Sequence, residues 1–173
     1  MESDLRGMLL LSSHKILYSD SILLRQQVQA DYEDMLELSV YDGKFAQNTA
    51  DAQEIGERIE NDHQAGNCIH WVICDIQNTQ ILGTIGFYRG FRDSVGEIGY
   101  MVKKEFRRNG FCTAAIKSAC EFGFVSLGLV KIRAHTGFDN PGSRRALEKN
   151  GFRIERKDES RITYFRDNDM LSR

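Results

Sequence analysis

Two periods of apolar and polar positions run along the chain, and the point where one gives way to the other is its clearest division. Residues 97–102 (Glu97, Ile98, Gly99, Tyr100, Met101, Val102) are β-branched or aromatic at several positions and follow the turn-rich run 89–94, which predicts a strand entered from a hairpin. From Cys112 the period lengthens. Cys112, Ala115, Ile116, Ala119, Phe122 and Gly123 stand at i, i+3, i+4, i+7, i+10 and i+11, placing small or apolar groups on one face of a helix. Upstream, Ile69, Trp71 and Ile73 alternate against Cys68, His70, Val72 and Cys74, the pattern of a strand over 68–75. Strands at 81–88 and 95–102 continue it as a meander, with turns at 77–80 and 89–94. The next strand, 130–135, should lie parallel to 97–102 because a helical crossover joins them, and that crossover should be right-handed.

The flanking segments supply further helices. Tyr32, Met35, Leu36 and Val40 have helical spacing with acidic residues early, so a helix is expected over 31–40, ended by Gly43. Thr49 reads as the N-cap of a second helix that turns Ala52, Ile55 and Ile59 inward and stops at Gly66. Asn140 followed by Pro141 is a cap and first-turn pair, and Gly151 ends the short helix that it opens. Residues 153–157 and 161–165 predict a last hairpin around 158–160, with 166–173 a polar tail. Residues 15–18 read either as an extra strand against 22–25 or as part of a loosely held arm over 1–20. Together these make an α+β fold, a mixed central sheet of six to seven strands flanked by about four helices.

Composition narrows the class. At 173 residues the chain fits one domain that buries roughly two thirds of its unfolded surface. A net charge of −2 leaves no broad basic excess to neutralise phosphates, which argues against nucleic acid as the partner. The four cysteines, Cys68, Cys74, Cys112 and Cys120, form no CxxC pair and sit within apolar patterns, so they read as buried reduced thiols and no metal site is expected. The apolar run Met8, Leu9, Leu10, Leu11 is too short for a signal segment or a membrane span, so a cytoplasmic protein without membrane contact is expected.

Positive charge is instead local, at the junction between the two periods. Gly110 in Arg107-Arg108-Asn109-Gly110-Phe111 permits close backbone approach, and the helix that follows begins with N–H groups that lack partners. Lys103, Lys104, Arg107 and Arg108 add full charges to the positive end of the helix dipole, so the turn can cradle a pyrophosphate; a plain basic, solvated loop is the other reading.

These residues carry a resemblance. Arg107-x-x-Gly110-x-Cys112, after a strand bearing Glu97 and opening a helix, is similar to the acyl-CoA pyrophosphate loop of the GNAT acetyltransferase superfamily, with Cys112 where that loop has Gly or Ala. The run Asn140-Pro141-Gly142-Ser143 with Leu147-Glu148-Lys149-Asn150-Gly151-Phe152 resembles the Asn-x-x-Ser and Glu-Lys-x-Gly-Phe signature of the Rim-type branch, which contains ribosomal-protein N-terminal acetyltransferases. Residues 21–25 resemble that branch's first strand, so the likeness spans about 20–166.

The resemblance implies a single acetyltransferase domain over 1–173 that uses acetyl-CoA and has a splayed parallel strand pair at its centre. Arg107, Arg108, Asn109, Gly110, Phe111, Cys112 and Thr113 would hold the pyrophosphate, the amides of Met101 and Val102 the pantetheine, and Asn140 would cap its helix and contact the same arm. Glu97 would be the general base; the alternative is a cross-strand partner for Arg89 or Arg92. Leu147 stands where many relatives have an acidic tyrosine, and the Rim-type likeness implies Ser143 as the proton source; otherwise Ser143 only fills the third helical position. Phe45 is either a wall of the acceptor site or an exposed loop aromatic, and His70 reads as a core histidine. The implied acceptor is a protein or peptide N-terminal amine, with a small-molecule amine or a non-catalytic acyl-CoA sensor as alternatives, and the protein should be a monomer or homodimer.

Overall fold

The structure is a computed structural model and describes residues 15–169. Ten strands are described: β1 (Leu17–Tyr18), β2 (Ile22–Arg25), β3 (Val40–Tyr41), β4 (Lys44–Phe45), β5 (Ile69–Asp75), β6 (Ile81–Tyr88), β7 (Val95–Val102), β8 (Lys131–Thr136), β9 (Arg153–Lys157) and β10 (Ile162–Asp167). Eight of them form one sheet in the order β1-β2-β5-β6-β7-β8-β10-β9, and β3 pairs with β4 in a separate ribbon. Three α-helices are described: α1 (Thr49–Gln64), α2 (Phe111–Val125) and α3 (Pro141–Lys149). The sheet has one strand more than six to seven because residues 17–18 do pair with 23–24.

Among the described strands only β7 and β8 run parallel, with α2 as the crossover between them. Their register joins Val95 to Lys131 and Ile98 to Ala134 and goes no further. Beyond that point β7 stays paired with β6 to Val102, while His135 and Thr136 pair with β10. The two central strands therefore part company at Gly99, which is the splay.

α2 lies close to the sheet because its inner face is small. Ala115, Ala119 and Cys120 are fully buried, and a Cβ on Gly123 would come within 2.9 Å of the Phe87 ring. Ile98, Val102, Ile116, Leu147 and Tyr164 share this core, with Trp71 set edge-on to Phe122 at 5.3 Å and to Phe87 at 6.5 Å. The opposite face carries a smaller cluster of Leu23, Met35, Leu38, Val72, Cys74 and Ile81, against which Met101 packs. Side chains alternate along a strand, so Glu97 shares the face of Met101 and Tyr100 that of Ile98 and Val102.

Residues 31–40 do not form the expected helix. Short 3₁₀ turns at Gln29–Asp31 and Leu36–Leu38 lead straight into β3. The residues that reach the sheet are Met35 and Leu38, three apart, which suits a 3₁₀ turn better than the four-residue stripe of an α-helix. The Asp31 carboxylate is buried; it takes bonds from both terminal nitrogens of Arg25 at 2.7 and 2.8 Å and from the Val28 N–H at 2.8 Å. At α1 the cap is Asn48, one residue before Thr49, its Oδ1 accepting from Asp51 N–H at 3.0 Å.

Candidate active site

The turn after β7 is braced from within. Arg107 Nε donates to Val102 O at 3.1 Å, and Asn109 Nδ2 lies 3.4 Å from both Phe106 O and Arg107 O. Arg108 and Gly110 hold left-handed conformations, φ 68° and 84°. Gly110 is the N-cap of α2 and has no side chain to cap it, and the first intrahelical bond runs from Ala114 N to Gly110 O at 3.0 Å. The N–H groups of Phe111, Cys112 and Thr113 therefore precede the ladder, at the positive end of the dipole and beside the exposed Arg107 and Arg108. A Cβ built on Gly110 meets nothing within 4 Å, so the turn is open at that position. The sequence placed Arg107 and Asn109 at the pyrophosphate; the structure also gives them the work of shaping the loop. Cys112 is half-buried, and burial pushes its thiol up to about 12, so it stays a neutral, compact filler where the family has Gly or Ala.

The splay opens beside this turn. Lys103 N–H donates to Leu82 O across β6, and amides alternate between the two edges of a strand, so Met101 also turns to β6 while Val102 turns to the gap. Of the two amides expected to meet a pantetheine arm, only that of Val102 faces the gap. On the β8 side, Thr136 Oγ1 is buried without a hydrogen-bond partner, and by alternation from Ile132 and Ala134 it lies on the α2 and α3 side of the sheet.

α3 is set across the same opening. Asn140 Oδ1 accepts from Ser143 N–H at 3.0 Å, so Ser143 does occupy the capped third position. Its hydroxyl does more than fill that position, because Ser143 Oγ lies 2.8 Å from Tyr100 OH. Burial raises the Tyr100 phenol above its ordinary range, partly countered by this hydrogen bond. Leu147 is fully buried between helix and sheet. At the far end, Asn150 Nδ2 donates to Thr113 O at 3.1 Å and to Ala146 O at 2.9 Å, tying α3 to the first turn of α2.

Glu97 lies on the other face, at the root of the splay. Its Oε1 is 3.2 Å from an Arg89 guanidinium nitrogen and its Oε2 is 3.4 Å from His135 Nε2. His135 Nδ1 in turn meets Thr163 Oγ1 at 3.0 Å. Tyr100 and His135 were not singled out in the sequence. Both partnerships span about forty residues, and the only clue to His135 was that it follows by two the Arg133 that parallel pairing sets opposite Glu97. Phe45 is 52% exposed on β4, whose ribbon is tied to α1 by Tyr41 OH donating to Asp62 at 2.8 Å. His70, on the sheet face toward α1, borders a small cavity of about 30 Å³ with Thr84, Tyr88, Met35 and Ser39.

A helix start with free amides, a split parallel pair and polar groups on both faces of the split form one arrangement, and comparison with known proteins gives it a family. Residues 21–153 match the family described as acetyltransferase (GNAT) domain. The chain belongs to the GNAT acetyltransferases. The curated relative "Uncharacterized N-acetyltransferase YoaA" of Bacillus subtilis is 32% identical over 148 residues, covering 81% of this chain and 84% of the relative. Three solved structures share the fold. A ribosomal-protein-S5-alanine acetyltransferase from Vibrio fischeri superposes with a TM-score of 0.76 at 17% identity, covering 90% of this chain and 97% of that one. A point mutant of the spermidine N-acetyltransferase SpeG from Vibrio cholerae gives 0.73 at 17%, covering 90% and 98%. The microcin C7 self-immunity acetyltransferase MccE, solved with acetyl-CoA and AMP, gives 0.74 at 21%, covering 86% and 93%. GNAT enzymes use acetyl-CoA as acyl donor, and the uncapped amides, the open space at Gly110 and the orphan hydroxyl at the splay fit that group. No helix among the described residues is long and apolar enough to cross a membrane.

Proposed function

We propose that this acetyltransferase modifies the N-terminal amine of a protein or peptide, with Glu97 as general base and Ser143 as proton source. Acetyl-CoA supplies the activated acyl thioester. The amides of Phe111, Cys112 and Thr113 with Arg107 and Arg108 would hold its diphosphate, and Val102 and Asn140 would line its arm. The Glu97 carboxylate, reached from the α1 side, takes the proton of the attacking amine directly or through a water. Ser143 Oγ gives its proton to the departing sulfur from the α3 side. One C–N bond forms, one C–S bond breaks, and the proton taken at Glu97 balances the one given at Ser143.

The observation that carries this reading is the placement of Glu97 and the Tyr100-bound Ser143 on opposite faces of one strand, beside the opening of the splay. For the acceptor, the cation of Arg89 at 3.2 Å from Glu97 disfavours a polyamine, whose second ammonium would meet like charge. Free-thiol release with peptides beginning in alanine or serine, with spermidine and with an aminoglycoside tests the assignment. Release with the peptides alone is expected; release with spermidine alone would overturn the acceptor, and CoA binding with no release from any amine would favour a sensor.

A further inference from the structure

We propose that Tyr100 is a positioning residue for Ser143: its phenol donates to the serine oxygen and thereby leaves the serine's own proton directed at the thioester sulfur. This rests on the assignment of Ser143 as proton source. Tyr100 lies on β7 just past the last parallel pair, its side chain on the α3 face, and its hydroxyl oxygen is 2.8 Å from Ser143 Oγ. Only one proton can lie between two oxygens at that separation. A phenol is a much stronger acid than an aliphatic alcohol, so the stable arrangement has Tyr100 as donor and Ser143 as acceptor. Burial raises the phenol above its ordinary range, so Tyr100 stays protonated and remains a donor across the working pH range.

Ser143 is thus held at two points, its backbone N–H by Asn140 and its side-chain oxygen by Tyr100. With one lone pair occupied, the hydroxyl hydrogen has few other directions open to it. Were the serine to donate to the phenol instead, its proton would point into β7 and be useless to a leaving group. Tyr100 forms no bond to the acyl group; it sets the direction of a hydroxyl. The family's acidic tyrosine is absent, because Leu147 fills that position in the core, and a tyrosine on the neighbouring strand governs the serine that stands in for it.

The test is a double-mutant cycle combined with a readout that needs no turnover. Ser143→Ala should lower kcat by on the order of a hundredfold, and Tyr100→Phe by about tenfold, the effect of one lost hydrogen bond. The acetyl-CoA KM should hold in both. The double variant should be no slower than Ser143→Ala alone, because the phenol acts only through the serine. A simple tether between β7 and α3 predicts the opposite split, a lower melting temperature and a higher KM with kcat retained, and that result or an additive double variant overturns the proposal. Full activity in Ser143→Ala overturns both the proposal and the proton-source assignment, whereas a slow Ser143→Ala beside a fast Tyr100→Phe overturns the proposal alone. In ligand-free protein labelled with ¹³Cζ-tyrosine, the resonance that vanishes in Tyr100→Phe should shift in Ser143→Ala. An unmoved resonance overturns the proposal even if Tyr100→Phe folds but is too slow to assay.

Discussion

Replacing Gly110 with alanine separates the backbone demands of the turn from its proposed use as a diphosphate seat. Gly110 has φ +84°, a conformation that costs an L-residue roughly 1–2 kcal/mol. The new Cβ meets nothing within 4 Å, so no steric cost within the protein adds to that strain. For a domain of this length each kcal/mol is worth roughly 2–4 °C, and the melting temperature should fall by roughly 2–8 °C. CoA affinity should fall by more than this strain explains. Strain at residue 110 shifts the turn that presents the Phe111, Cys112 and Thr113 amides, and displacing the diphosphate from even one of them forfeits a charge-assisted hydrogen bond of about 1.5–3 kcal/mol, roughly ten- to a hundredfold in Kd. Differential scanning calorimetry gives the first quantity and isothermal titration with CoA the second. A Gly110→Ala protein that melts lower yet binds CoA as tightly as the parent would refute the assignment of these amides, because the strain would be present and the ligand indifferent to it.

Glu97→Gln keeps the shape of the side chain and removes its basicity; acetyl transfer should drop about a hundredfold at neutral pH, with a changed pH–rate profile. An unaltered profile takes Glu97 out of the chemistry. Arg107→Ala deletes both a cation and the Nε bond to Val102 O, so the acetyl-CoA KM should rise several-fold with a smaller change in kcat, and a kcat effect larger than the KM effect would count against the phosphate role. Burial raises the thiols of Cys68, Cys112 and Cys120 to about 12, whereas an unfolded thiol titrates near 9. Between those values the native state holds protons that the unfolded chain releases, so stability is full below about pH 9 and declines toward pH 12. Thermal melts recorded from pH 7 to 11 should show that loss, and a flat curve would mean that the thiols are not buried as described.

What could be read from the sequence was what local periodicity and turn chemistry control. The small-residue stripe from Cys112 to Gly123 predicted α2 and, through the crossover it makes, the parallel strand that follows, because a helix with that face has to bury it and a crossover has few places to go. The Asn140-Pro141 start of α3 was read to the residue because a cap is a contact between near neighbours. Residues 31–40 failed for the converse reason. Four apolar positions in ten residues satisfy a helical stripe by chance, and the outcome was decided elsewhere, by Arg25 claiming the Asp31 carboxylate and by two sheet contacts three residues apart. Tyr100 and His135 were hidden by the same logic, since each draws its meaning from a partner brought close only by the completed sheet.

The two readings of Glu97 illustrate how such contacts should be weighed. Base and ion-pair partner were alternatives in the sequence; the structure shows the ion pair, and the pair leaves the base role open. The Arg89 side chain is 71% exposed and that of Glu97 30%, so their contact belongs to the solvent-screened class worth about 0–1 kcal/mol. An approaching amine can replace it at little cost. His135 is the less mobile partner, with its other nitrogen held by Thr163, whose side chain is buried where β10 pairs with β8. Glu97 is therefore flanked on one side by a histidine anchored in the sheet and on the other by an exposed arginine, and of the two contacts the arginine's gives way at the lower cost.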